Sequence, residues 1–325
     1  MISGNDTRMG LATRDFSSAI EACPVPIVCP VCRVRLDFVG TLIHCGACGR
    51  EFGFTEGFPN LIIGERFEDA TTPDKMLYEE RSNRDTTVNY WIPLFRKLWG
   101  SSRHGVRLLS LGCGVGIDVD LLADEGFECL GIDCGNRTNF WARRQRSERL
   151  LLANGMNLPF EDTTFDGVFC GCVFPHVGVV GDSFQVAPGY YQDRLRLAKE
   201  MSRVLRPGGK VLVSSPNRYF VFDLFHGRAE GSYKPRFNPP SSPFLLSRSD
   251  YRQLFRDAGL SSTELQPVEN YWGFIRANNG IKGRLAGLAP KAAFWLVSQP
   301  GMRWLLSSPV NPWLVVMAHK IEVTR

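Results

Sequence analysis

The chain has no long apolar run. None of its hydrophobic segments approaches the ~18–20 residues that span a bilayer, so no membrane-crossing helix is expected. Met1 to Ala22 lacks the basic-then-apolar pattern of a secretion signal, and a cytoplasmic location is expected. A strong charge of either sign is missing too. Lys and Arg number 38 against 33 Asp and Glu, for a formal net charge of +5. That balance disfavours a chain built mainly to grip nucleic acid, although local patches can still act. Acidic residues are absent from Asn270 through His319. Cysteine, by contrast, is plentiful at ten residues. Without a secretion signal these are expected to be reduced and to serve metal or thiol chemistry, not disulfides. The apolar fraction of 44% over 325 residues is that of a globular protein with room for a large domain and a small one.

The chain is organised around Leu108-Leu-Ser-Leu-Gly-Cys-Gly-Val-Gly116. A short apolar strand runs into Gly112, Gly114 and Gly116, and a helical pattern with Val119, Leu121 and Leu122 follows at once. Glycine there permits a sharp turn and lets a ligand lie against bare main chain. The helix that opens next offers free N–H groups and a positive dipole end. A second apolar strand, Cys129 to Ile132, ends in Asp133, where a carboxylate can accept both hydroxyls of a ribose. The GxGxG spacing is shorter than the dinucleotide fingerprint and disfavours NAD. Strands are expected over 106–111, 128–132, 150–153, 166–171, 210–215 and 262–268. Helices are expected over 117–125, 138–149, 190–205 and 249–258. Such alternation predicts an α/β fold, a parallel sheet with helices on both faces.

Two later stretches sharpen this. Asn157-Leu-Pro-Phe-Glu-Asp-Thr-Thr-Phe-Asp-Gly-Val168 and Arg203-Val-Leu-Arg-Pro-Gly-Gly-Lys-Val-Leu-Val-Ser-Ser-Pro216 follow at ordered intervals. Together with the glycine turn they resemble the class I S-adenosylmethionine (SAM) methyltransferases of the type 11 kind. The resemblance runs from about Thr86 to the C-terminus. It implies a Rossmann-like seven-stranded sheet whose last strand, Leu314 to Ile321, inserts antiparallel. It also implies S-adenosyl-L-methionine as cofactor, with Gly112, Cys113, Gly114 and Gly116 along the methionine and ribose. Asp133 would hold the ribose hydroxyls, and Cys134, Asn154, Gly155 and Met156 would flank the adenine. Cys170 and Gly171 would pass the methionine end. Ser110 stands where many relatives carry an acidic residue, and Asp118 or backbone carbonyls would have to substitute.

Upstream, Cys29-Pro-Val-Cys32 and Cys45-Gly-Ala-Cys48 are separated by twelve residues. Two CxxC pairs across a hairpin-sized spacer form a zinc-ribbon pattern, with four thiolates around one structural ion. Pro30, Gly46 and Gly49 are expected to permit the tight knuckles. The site would carry about −2. Val28 to Ile63 resembles the N-terminal ribbon of some bacterial ribosomal RNA guanine methyltransferases, which implies RNA contact. Arg33, Arg35, Arg50 and His44 face Asp37, Glu51 and Glu56 in number, however, and this balance favours a stability module or a clamp on the larger domain.

The expected organisation is a flexible tail over 1–22, the ribbon over 23–64, a helical linker or cap over 65–100 and the methyltransferase domain over 101–325. Insertions at 173–189 and 217–248 sit where strand ends would carry an acceptor pocket. Candidate bases are His176, then His226 and Asp223; Tyr190 and Tyr191 could also face the acceptor. A basic, aromatic helical segment over 276–308 suits packing, a lid, or contact with an anionic membrane. The favoured function is methyl transfer to a small-molecule acceptor, of secondary-metabolite or lipid-like kind. The alternatives are an RNA nucleobase methyltransferase and a non-catalytic ribbon adaptor. The oligomeric state is open.

Overall fold

Alternate residues of a strand point to opposite faces, and here both faces are buried. The structure is a computed structural model, and its described residues are 23–39, 42–64, 72–100, 103–181, 183–226, 236–271 and 288–321. Four strands come first: β1 (Asp37–Val39), β2 (Leu42–His44), β3 (Glu51–Thr55) and β4 (Phe58–Asn60). Then come β5 (Arg107–Leu111), β6 (Glu128–Asp133), β7 (Leu150–Leu152), β8 (Phe165–Gly171) and β9 (Leu205–Pro216). Among the described residues, β10 (Phe222–Asp223) and β11 (Arg236–Phe237) pair only with each other. β12 (Glu264–Leu265) and β13 (Trp313–His319) close the series. The helices are α1 (Pro73–Thr86), α2 (Ile92–Trp99), α3 (Ile117–Asp124), α4 (Thr138–Trp141), α5 (Tyr190–Val204), α6 (Arg248–Asp257) and α7 (Leu288–Ser298).

The main sheet has eleven strands in the order β1-β2-β3-β4-β7-β6-β5-β8-β9-β13-β12. The seven strands from β7 to β12 in that order belong to the larger domain. The other four are the cysteine-rich module, which joins the same sheet through the parallel pair Asn60–Leu152. The module is thus not a detached domain. The run β4 to β9 is parallel, β13 is antiparallel to it, and β12, antiparallel to β13, runs with the parallel strands again.

Each strand divides its side chains between two cores. Leu109, Leu111, Leu130, Ile132, Val168, Cys170, Val211 and Val213 face one side, with α5 and α6. Leu108, Cys129, Phe169, Leu212, Val315 and Met317 face the other, with Tyr90, Trp91, Phe95, Leu122 and Trp141. The module shares the first core through Ile27, Leu36, Ile43, Phe52 and Leu61. Full burial of one such side chain contributes roughly 1.5–3 kcal/mol, so module and sheet stabilise one another.

Several expected boundaries shift. The helix over 138–149 shrinks to α4 plus a 3-10 turn, Ser147–Arg149. The buried Asp120 carboxylate accepts from the backbone N–H groups of Gln145 at 3.1 Å and Arg146 at 3.0 Å, which diverts the chain from helix. The strand over 262–268 is only β12, because Pro267 has no N–H to give a ladder. Between α1 and α2 the helix widens to a π turn, Thr87–Trp91, which turns Tyr90 and Trp91 into the core. The tail 1–22, linker residues 65–71, loop residues 227–235 and the basic residues Arg276, Lys282 and Arg284 lie outside the described residues. No helix among the described residues is long and apolar enough to cross a membrane.

Candidate active site

Strand β5 ends in the glycine turn, and all three glycines adopt positive φ: 71° at Gly112, 54° at Gly114 and 74° at Gly116. An L-residue there pays for its Cβ, and at all three positions space is lacking as well, at Gly116 against Leu150. A side chain at Gly112 would run into Val173, and one at Gly114 into the Glu79 carboxylate. Gly116 is the N-terminal cap of α3. The turn is sealed below by Trp141, whose indole N–H donates to the Gly114 carbonyl at 2.8 Å.

Asp133 ends β6 beside this turn. Its Oδ2 accepts from the Gly114 N–H at 2.9 Å and its Oδ1 from the Gly135 N–H at 2.9 Å. Burial pushes its pKa up, against the pull of the N–H groups of Gly135, Gly114 and Cys134. Asn154 lies one strand over, since the adjoining Ala153 N–H donates to the Asp133 carbonyl at 3.0 Å. The buried Asn154 side chain accepts from the Met156 N–H at 2.9 Å, which fixes the turn through Gly155. The structure therefore brings Gly112, Gly114, Gly116, Asp133 and Asn154 to one end of the sheet. Cys134 follows Asp133 and is partly buried, whereas Cys113 and Cys170 are core residues with almost no exposed surface.

Sequence reasoning missed Glu79. It lies on α1, and its carboxylate rests against Gly114 with Arg137 3.3 Å away. A second pair, Arg144 with Glu80 at 3.0 Å, also ties α1 down over the turn. Burial and the nearby Asp133 push the Glu79 carboxyl up to about 8. Ser110, expected as a weak point, hydrogen-bonds through its hydroxyl to the Asp118 carboxylate. Burial raises Asp118 to about 6. Asp118 is thus committed to the strand beneath the turn.

Beyond β8 the candidate bases gather. His226 Nδ1 is 2.8 Å from Asp223 Oδ2, and Arg236 donates to the same oxygen at 3.0 Å. His226 Nε2 lies 3.0 Å from His176 Nε2 and 3.5 Å from the Cys172 sulfur. Asp223 and His226 are buried, and the His176 ring has an exposed edge. Packing against its ring, with His226 adjoining, holds the His176 imidazole well below the ordinary histidine range. Hydrogen bonds from His226 and Arg236 outweigh burial and hold Asp223 below its usual range. Cys172 was not singled out from the sequence; the neighbouring Cys170 was. Only the backbone reveals it, with φ 57° in the left-handed region where non-glycine residues are rare.

Aromatic rings wall this end. Phe225 and Phe244 stand 5.0 Å from the His226 ring, and Tyr271 stacks on Trp313 at 5.2 Å. The Tyr271 hydroxyl bonds Ser214 at 2.6 Å, near Gly171. The two loops are buckled by the buried Arg194 of α5. It donates to the carbonyls of Val177, Pro243, Pro175 and Phe244 at 3.1, 2.8, 3.3 and 2.9 Å. Tyr190 and Tyr191 line a separate cleft of about 220 Å³ with Arg194 and Asp250, away from the histidines.

The four module cysteines also converge, with their sulfurs within 4.8 Å of one another. Cys29 Sγ is 3.8 Å from Cys48 Sγ, and Cys32 Sγ is 3.3 Å from Cys45 Sγ. A tetrahedral ion with metal–sulfur bonds of ~2.3 Å requires sulfurs about 3.8 Å apart, so the set fits zinc. The knuckles are alike: Arg33 N–H donates to the Cys29 carbonyl and Gly49 N–H to that of Cys45, each at 2.9 Å. The left-handed positions are Arg33, φ 64°, and Gly49, φ 67°; Gly46 needs no such freedom. Arg33 pairs with Glu200 at 3.0 Å and Arg35 with Glu161 at 3.2 Å, both on the larger domain.

Comparison with known proteins bears on this geometry. Residues 109–213 match the model of the methyltransferase domain family. The chain is 29% identical over 179 residues to a Mycolicibacterium smegmatis protein named Probable S-adenosylmethionine-dependent methyltransferase, covering 53% of this chain and 59% of that one. It is 30% identical over 156 residues to the demethylmenaquinone methyltransferase of Bacillus cereus, covering 43% and 59%. It is 28% identical over 152 residues to the Probable tRNA methyltransferase 9B of Mus musculus, covering 43% and 31%. The chain therefore spans 59% of the length of the first two of these curated relatives. The glycine turn, Asp133, Asn154 and β8 all lie within the segment that matches the methyltransferase domain family.

Proposed function

We propose that the whole chain is a SAM-dependent methyltransferase acting on a small, ring-bearing or lipid-like acceptor. The observation that carries this is the placement of the Asp223–His226 pair, which follows β9, in an aromatic wall beside Cys172 at the end of β8, at the same sheet end as the glycine turn. Gly112, Gly114 and Gly116 would lie along the methionine and ribose. Asp133 would exchange its bond to the Gly114 N–H for the ribose hydroxyls, and Asn154 through Met156 would flank the adenine. S-adenosyl-L-methionine supplies an activated methyl group on a sulfonium. The protein's own contribution is alignment and exclusion of water. Asp223 fixes His226 with Nε2 turned to the partly exposed His176, and with that contact opened His226 would take a proton from an acceptor hydroxyl or amine as the methyl group is transferred. His176 would adjust His226 from its free side. The four-cysteine module would hold structural zinc, since a closed thiolate set leaves no open position.

The RNA alternative is weakened by the module's own pairing. Arg33 and Arg35 face Glu200 and Glu161 instead of presenting a free basic surface. A second reading concerns location. Trp295, Leu296 and Trp304 are exposed beside Lys291 and Arg303, a composition suited to peripheral contact with an anionic membrane. The test is transfer of a labelled methyl group from SAM to total cell extract of a bacterium, fractionated afterwards. Label in the solvent-extractable fraction supports the proposal. Label confined to RNA overturns the acceptor class.

A further inference from the structure

Cys172, His176 and His226 each bring one ligand atom to within 4.8 Å of the others. They reach this point from separate segments: the residue after β8, the turn Phe174–His176, and the residue three past the end of β10. A tetrahedral zinc with usual bond lengths sets nitrogen–nitrogen edges at about 3.3 Å and sulfur–nitrogen edges at about 3.6 Å. The observed separations are 3.0 Å between the two Nε2 atoms and 3.5 Å from His226 Nε2 to the sulfur.

The surroundings match as well. His226 Nδ1 is engaged by Asp223 at 2.8 Å, the arrangement in which a carboxylate orients a histidine so that its other nitrogen presents a lone pair to a metal. Asp223 has no exposed side-chain surface and is held in turn by Arg236. Cys172 is fixed in its left-handed conformation by donating its N–H to the Ser214 carbonyl at 2.7 Å. Strain of that kind persists where the surroundings impose it, and it gathers at functional sites.

We propose that Cys172, His176 and His226 form a second metal site, distinct from the four-cysteine module, that takes a zinc-class divalent ion. One thiolate and two imidazoles select zinc over magnesium or calcium, which prefer oxygen. Among the described residues three ligands reach this point, which leaves a fourth position, and His176, with its exposed edge, is the side on which it opens. A water or an anionic oxygen or sulfur of the acceptor fits that position. With the ion bound, His226 serves as a ligand and the metal lowers the acceptor's proton affinity in its place. This last role rests on the methyltransferase reading; binding of the ion does not.

The test uses the full chain loaded with Zn²⁺ or Co²⁺ under reducing conditions, with no methyl donor present. Metal per chain and the thiolate-to-cobalt absorbance are measured for wild type and for Cys172→Ser, His176→Ala, Asp223→Asn and Cys32→Ser. Two ions are expected in wild type, and Cys172→Ser should lose one of them together with a single-thiolate band. Asp223→Asn should bind that ion about 10–100-fold more weakly. His176→Ala changes a partly exposed ring, so it serves if Cys172→Ser does not fold, and it too should weaken only the second ion. An ion lost in Cys172→Ser but kept in Cys32→Ser supports the site even if the module binds none. Unchanged metal content and spectrum in both Cys172→Ser and His176→Ala overturn it. So does a single ion that Cys32→Ser removes. A failure of methyl transfer leaves these readouts untouched.

Discussion

Glu79 and Asp133 place two carboxylates around one glycine. At Gly114 the backbone is left-handed and the space above it belongs to Glu79. Gly114→Ala is therefore expected to lose about 1–2 kcal/mol for the dihedral alone, with the clash added. Glu79→Ala in the same chain should restore the clash part and leave the dihedral part. Urea unfolding of the two single variants and the double variant checks this; strict additivity would show that the two side chains do not meet. Glu79 also predicts a pH effect. Its folded pKa is raised from 4.5 to about 8, so the native state binds the proton more tightly than the unfolded chain. The associated stability is full below about 4.5 and is lost as pH rises through about 8. Glu79→Gln should remove that loss, so its unfolding free energy relative to wild type should rise between pH 6 and pH 9. Parallel profiles across that window would contradict the assignment.

At the scale of elements, Glu200 on α5 joins the cysteine module to the sheet. It accepts from Arg33, from Arg203 twice and from the Leu158 N–H, all between 2.8 and 3.0 Å. Those bonds hold its pKa below the usual range against burial. Its contribution is present above the ordinary carboxylate range and fades as pH falls through the folded value. Glu200→Ala should cost about 1.5–3 kcal/mol at neutral pH, because the half-buried Arg33 loses its ion pair and Arg203 is left with Asp162 and the Phe160 and Leu158 carbonyls, and chemical denaturation reads it directly. The elements themselves were largely legible in the chain. Alternating apolar residues in β5, β6, β8 and β9 announce strands buried on both faces, and the glycines and Asp133 announce the turn between them. Illegible were contacts between distant residues. Asp120 ends the helix after Trp141 by taking two N–H groups some 25 positions on. Glu79 reaches the glycine turn from a helix far upstream. Cys172 was hidden because a strand pattern points to the residues inside β8, while the residue that turns out of it is set by backbone conformation. The union of module and sheet rests on the strand pair Asn60–Leu152, on backbone bonds such as Val28 N–H to the Pro159 carbonyl, on the Arg33 and Arg35 ion pairs and on a shared core, which no local pattern signals.

At the scale of the molecule, one sheet carries two jobs. Its β1–β4 end carries a four-cysteine cluster, and the ends of β5, β6, β8 and β9 lead to a glycine cradle, a carboxylate and a histidine pair. Because module and sheet share a core, removing the zinc proposed for the module should lower the midpoint of one common unfolding transition instead of producing a separate early one. The central claim is that bare main chain at Gly112–Gly116 and the Asp133 carboxylate together hold the methyl donor. Isothermal titration of the zinc-loaded chain with S-adenosylhomocysteine tests this most directly. The account predicts one site per chain, weakened roughly 10–100-fold in Asp133→Ala, the loss expected from charge-assisted hydrogen bonds of ~1.5–3 kcal/mol. Folded protein that gives no heat with either S-adenosylhomocysteine or SAM, or an Asp133→Ala variant that binds as tightly as wild type, would contradict it.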